Sequence, residues 1–137
     1  MRAAIVFFFL LILPLGLMSG CASIVPATVT SIPQVPMKKG ANIFVVARAQ
    51  RDRIVESLVD AGLKVSDEWA VDAYSLTVSI GKWRGGSGCQ GVSNVSYVLN
   101  GGGRRLMVIK GRGHINYCEP NVFDDMSRLL AFYAAER

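Results

Sequence analysis

Few side chains in this chain have the type or spacing to do chemistry. There are three cysteines, Cys21, Cys89 and Cys118, and a single histidine, His114. A thiol can pair as a disulfide, bind a metal or accept a covalent group. Any nucleophile–histidine–acid arrangement would have to use His114, and nothing near it in the sequence supports one. Two acidic pairs, Asp67-Glu68 and Asp124-Asp125, fit loop and helix-start roles. Residues 86–91 (GSGCQG) spell G-x-G-x-x-G. That pattern holds a pyrophosphate only where a strand turns into a helix, and here strands are expected on both sides, so no nucleotide is assigned. A metal site needs several ligands at set spacings. None is spelled out, so neither metal nor catalytic residues are expected, and the chain reads as non-enzymatic.

The first 20 residues differ from the rest. Arg2 gives a positive start, residues 3–13 (AAIVFFFLLIL) are unbroken apolar, and Pro14, Gly16, Ser19 and Gly20 loosen the stretch before Cys21. A charged start, an apolar middle and a small-residue end describe an export signal. A transmembrane helix needs about 20 apolar residues, and residues 3–18 give only 16, with Pro14 and Gly16 among them.

"LMSGCAS", residues 17–23, resembles the lipobox of bacterial lipoproteins: Leu17 and Met18, small Ser19 and Gly20, then Cys21. Met18 stands where that family most often has Leu. The resemblance implies that residues 1–20 are removed and that Cys21 carries a diacylglyceryl group and an acylated amine. The covalent lipid is the only cofactor-like group expected. Ala22 follows Cys21, where the family's inner-membrane retention signal is Asp, so the resemblance implies the periplasmic face of the outer membrane. Cys89 and Cys118 are then left as one pair, and an exported protein meets an oxidising compartment, so a Cys89–Cys118 disulfide is expected.

Net charge is +5 for the whole chain and +4 once Arg2 is removed. That mild excess suits ordinary solubility, anionic lipid or peptidoglycan, and export argues against nucleic acid. Residues 21–40 hold Pro26, Pro33 and Pro36 among small and β-branched residues. They read as an extended tether behind the lipid, part of which can pack as an edge strand.

Residues 41–137 read as one domain. Residues 41–48 (ANIFVVAR) suit a central strand, with residues 43–47 apolar on both faces. Ile54, Val55, Leu58 and Val59 then recur at helical spacing, with Arg51, Asp52, Arg53, Glu56 and Asp60 as the wet face and Gly62 as the stop. Strand, helix and a following strand make a right-handed βαβ unit. Residues 74–80 alternate, with Tyr74, Leu76, Val78 and Ile80 inward. Residues 92–100 place Val95, Tyr97 and Leu99 inward. Asn100-Gly101-Gly102-Gly103 signals a turn, and residues 104–117 form the next strand with Met107, Ile109, Ile115 and Tyr117 inward. Residues 121–136 form a helix, capped by Asn121, with Val122, Met126, Leu129, Leu130 and Tyr133 on one face. The order β-α-β-β-β-α predicts an α+β two-layer sandwich: a four-stranded mixed sheet with two helices on one face. That order resembles the small α/β domains of outer-membrane assembly and secretion lipoproteins of the curli-assembly type.

Pairing Asn100 with Arg104 places Arg104, Lys110, Arg112 and His114 on the outward side of the last hairpin, together with Leu106 and Val108. Arg84 approaches from the preceding loop. Trp69 is expected as a core plug. Cations among apolar groups on an uncovered sheet face suit an anionic polymer or a protein. The leading expectation is therefore a lipid-anchored envelope protein that binds another envelope protein or peptidoglycan. The alternatives are a homo-oligomeric ring subunit of a secretion or assembly system, and a small cell-wall-acting hydrolase.

Overall fold

The structure is a computed structural model and describes residues 27–31, 37–84, 91–115, 118–119 and 121–134. The lipobox, Cys21, Cys89 and Tyr117 lie outside the described residues.

Among the described residues, seven strands and two helices follow one another. They are β1 (Thr28–Ser31), β2 (Asn42–Ala47), α1 (Arg51–Asp60), β3 (Lys64–Ser66), β4 (Tyr74–Ile80), β5 (Trp83–Arg84), β6 (Gly91–Gly101), β7 (Arg104–His114) and α2 (Val122–Ala134). One mixed sheet runs in the order β1, β7, β6, β4, β2, β3, and β5 pairs with β6 off that path. The expected α+β class holds. The expected four-stranded sheet does not, because β1, the three-residue β3 and the two-residue β5 add to it. None of these three is long enough to show a periodicity of its own.

β2 pairs in parallel with β3 on one side and β4 on the other. The remaining pairings of the sheet are antiparallel. β1 lies in the segment expected as a tether. It closes the β7 edge, and Thr28 Oγ1 donates to the Lys110 carbonyl at 3.5 Å. Met37 is buried, and its N–H donates to the Ala134 carbonyl at 3.1 Å. The folded body therefore reaches back beyond residue 41.

Away from its bulges the strand pattern is an alternation. Across the sheet, Val45, Leu76, Leu99 and Met107 share one row, and Val78, Tyr97 and Ile109 share the next. All seven are buried, with α1 residues Ile54 and Leu58 and α2 residues Phe123, Met126 and Leu130 over them. Both helices thus share one core on one face of the sheet. α1 ends as its sequence indicates. Gly62 takes φ 86°, its N–H donates to the Val59 carbonyl, and the Leu63 N–H donates to the Leu58 carbonyl. This is the Schellman pattern, with Leu58 and Leu63 as its apolar contact. α2 is capped by Asn121, whose Oδ1 accepts from the Phe123 N–H at 2.9 Å.

Arg53 departs from the wet-face assignment. Its side chain is 10% exposed and donates to Asp124 Oδ2 of α2 at 2.7 Å. Ser57 accepts from Arg53 at 2.7 Å and donates to Asp124 Oδ1 at 2.7 Å. The cluster joins the two helices above Tyr97. Burial raises the Tyr97 phenol above the ordinary value of 10.0, and Asp124 adds to that shift while Ser127 opposes it. The Tyr97 hydroxyl and Ser127 Oγ are both buried, and neither has a hydrogen-bond partner among the described residues.

The last hairpin turns one residue later than the glycine run suggests. Gly102 and Gly103 take φ 57° and 72°, the two positive values that a two-residue type I′ turn requires. The pairs are Gly101 with Arg104, Asn100 with Arg105, and, after a bulge, Leu99 with Met107. A second irregularity lies between Val92 and Val95, opposite Gly111 and Gly113. A Cβ at Gly111 would lie 2.9 Å from Met126 Sδ and 2.9 Å from Val122 Cγ2, so glycine there lets α2 approach the sheet.

Candidate functional site

The face of the sheet away from the helices is the candidate site. Its rows are set by the register. Ser66, Phe44, Ser75, Asn100 and Arg105 form one, Val46, Thr77, Val98 and Val108 the next, and Ser79, Ser96 and Lys110 the third. No helix among the described residues covers this face. Its floor is made of short β-branched and hydroxyl side chains. At the carboxyl ends of β2 and β4 it dips into an open hollow of about 480 Å³, lined by Val46, Arg48, Thr77 and Ser79 among others.

The connection from β3 to β4 must pass β2, because β2 lies between them. It passes on this outer face. Trp69 sets its ring edge-to-face on Phe44, with centroids 5.8 Å apart, and Phe44 points outward between buried Ile43 and Val45. Trp69 is therefore not the core plug expected; it is 58% exposed. The core side of β2 is already filled by Ile43 and Val45 against α1, which leaves the indole the outward Phe44. Val71, in the same connection, is 98% exposed. Asp67, Glu68 and Asp72 are exposed around them, and Asp67 pairs with Arg51 at 3.2 Å.

The cations predicted to share a side are divided. Lys110 and Arg112 are exposed on the outer face, since Gly111 between them faces α2. Arg104 is not with them. The later turn puts it beyond Gly101, where Lys38, Val71, Asp72, Tyr74 and Leu106 share with it a smaller hollow of about 290 Å³. Arg105 takes the outer position instead. Leu106 leaves the outer face as well, because the bulge turns it toward Tyr74 and the core. His114 ends β7, half-buried and bridged to Asn121, and its Nδ1 is buried with no hydrogen-bond partner among the described residues. The Arg84 backbone pairs with Gly91, which pairs in turn with His114. Cys118 is half-buried between β7 and α2. Cys89, its expected partner, lies outside the described residues.

The acidic connection is the part of this face that sequence reasoning misses. Its signal is a tryptophan and a valine among three acids, with no base between residues 65 and 81. Among the described residues no three metal-ligating side chains gather, and no helix is long and apolar enough to cross a membrane. No nucleophile, base and acid come together there either.

No known protein family and no curated protein matches the chain. Solved structures with a similar backbone include two PelC dodecamers from Paraburkholderia phytofirmans. The first, a single-site variant, is 13% identical with a TM-score of 0.49 and covers 80% of this chain and 99% of its own. The second is 16% identical with a TM-score of 0.47 and covers 80% and 96%. A minor lipoprotein from Acinetobacter baumannii is 13% identical with a TM-score of 0.38, covering 68% and 91%.

Proposed function

We propose that this chain is a lipid-anchored protein of the bacterial cell envelope that works by assembly rather than catalysis, with further copies of itself as the partner. One observation carries the reading. The outer face of the sheet is uncovered among the described residues, yet it holds Phe44, Val46, Trp69, Val98 and Val108 together with charges of both signs. Exposed apolar groups gathered within a polar rim mark interaction sites. The lipobox supports an anchor at Cys21 on the periplasmic face of the outer membrane, and two or more acyl chains hold stably where one does not. Cys89 and Cys118 complete the reading as a disulfide that ties the start of α2 to the segment before β6. Closing about 30 residues, it adds roughly 3.5 kcal/mol on the chain-entropy account.

The test is metabolic labelling of the full chain with a clickable fatty acid in a bacterial host, followed by sizing of the labelled protein in mild detergent. The wild type takes up label and runs as more than one copy. Cys21→Ala loses the label and accumulates with residues 1–20 attached. Normal labelling of Cys21→Ala overturns the anchor, and a strictly monomeric labelled chain overturns the assembly.

A further inference from the structure

At the end of the sheet where β7 begins, three segments far apart in sequence bring charges of both signs to one hollow of about 290 Å³. Lys38, Asp72 and Arg104 line it together with Val71, Tyr74 and Leu106. Each charged residue stands on backbone that is held in place. The Lys38 N–H donates to the Tyr74 hydroxyl at 3.2 Å, and the Lys38 carbonyl accepts from the Ala41 N–H at 3.0 Å. Asp72 sits in a turn closed by the Ala73 N–H, which donates to the Ala70 carbonyl at 3.0 Å. Arg104 pairs with Gly101 across the type I′ turn. A Cβ at Gly101 would lie 2.6 Å from the Tyr74 ring, so glycine there lets the ring lie against the strand as a wall of the hollow. All three charged side chains are exposed, and none forms an ion pair among the described residues. Two cations and a carboxylate thus face one space without satisfying one another.

We propose that this hollow binds the head of an amino acid in its zwitterionic form, either free or at the end of a peptide side chain. Arg104 and Lys38 hold the carboxylate, the guanidinium offering it two parallel N–H donors. Asp72 accepts from the ammonium group carried on the same carbon. Val71, Leu106 and the Tyr74 ring are left for an aliphatic chain, the apolar lining that small-molecule sites usually have. The size agrees. A hollow of about 290 Å³ stands at the lower edge of the roughly 300–1,000 Å³ that such sites span, which suits a single amino acid. The mixture of signs also excludes competitors. A plain anion sets its charge against Asp72, and a plain amine sets its charge against two cations. The proposal does not rest on self-assembly and holds for one copy or for several.

Titrating the full isotope-labelled chain in a non-ionic detergent with L-norleucine, followed by amide NMR, tests the site. Saturable shifts are expected at Tyr74, Gly101 and Gly102. Hexanoate, which lacks the ammonium group, and pentylamine, which lacks the carboxylate, should each bind at least tenfold more weakly. Asp72→Asn should remove the preference for norleucine over hexanoate. Lys38→Gln/Arg104→Gln should remove the preference for norleucine over pentylamine. These side chains are exposed, so unchanged amide shifts in the rest of the chain separate lost binding from lost folding. A muramyl tripeptide ending in a diamino acid carries the same head on a peptidoglycan fragment. Binding at least tenfold tighter than norleucine assigns the peptide-borne head, and equal or weaker binding assigns the free amino acid. Hexanoate bound as tightly as norleucine overturns the zwitterion in favour of a simple anion site. No saturable shift with either norleucine or the tripeptide up to about 10 mM, where even a binding free energy of about 3 kcal/mol would show, overturns the site itself.

Discussion

The two faces of this sheet are made by the same strands, residue by residue in alternation, and they obey different rules. Leu99 and Val98 are neighbours in β6. Leu99 lies under the helices at 1% exposed, while Val98 shares its row with Val46, Thr77 and Val108 on the outer face. The inner face spends its side chains on volume, from Tyr97 and Phe123 to Met107, and gathers Arg53, Ser57 and Asp124 into one hydrogen-bonded cluster. The outer face carries short side chains and open charges. Folding is thus determined on one side of the backbone, which leaves the other side free to be shaped for a partner.

Substitutions can break that contrast. The largest effect is expected on the inner side, at the helix clamp. Asp124→Ala leaves Arg53 cationic and nearly buried without its carboxylate. Losing one partner of a buried pair costs up to about 3–5 kcal/mol, and because Asp124 is partly exposed we expect about 2–3 kcal/mol. The melting temperature should then fall by roughly 10–20 °C. A fall under about 3 °C would mean that the pair is not what joins the helices.

A smaller effect appears only in alkali. The folded protein holds Tyr97 neutral, while an unfolded chain ionises it near 10.0. Its contribution is therefore complete below about pH 10 and declines as the pH rises beyond that value, at up to about 1.4 kcal/mol per pH unit. Tyr97→Phe should flatten this limb in denaturant titrations followed between about pH 8 and 11. An equally steep limb in the variant would assign the effect to another group.

The smallest effect is expected outside. Val98→Thr keeps the shape and adds a hydroxyl on the bare face, so stability should move by no more than about 0.5 kcal/mol. A loss above about 2 kcal/mol, read from the denaturant midpoint, would show that the outer face is part of the core after all.

Legibility in the sequence divides along the same line. The inward sets of β4 and β6 can be read directly, because two-residue alternation writes burial into the order of residues. Gly62 and Asn121 mark a helix stop and a helix start, since cap chemistry is local. The features that escape are decided at a distance. Arg53 looks solvent-facing until Asp124, 71 residues later, is placed beside it. Arg104 is assigned to the outer face because a run of three glycines does not say which two make the turn. Trp69 looks like core, and only the strand order, with β2 between β3 and β4, shows that its loop must cross the outer face. The candidate site is half legible. Lys110 and Arg112 can be picked out, and the β3–β4 connection that crosses the same face cannot.

One feature at the edge of the sheet bears on where the protein can stand. β1 fixes residues 28–31 to β7, so a lipid on Cys21 would hold the body by the seven residues from Cys21 to Thr28, a leash of at most about 25 Å, instead of the whole proline-bearing segment. A body anchored in that way would ride close to the bilayer, unable to roam far above it.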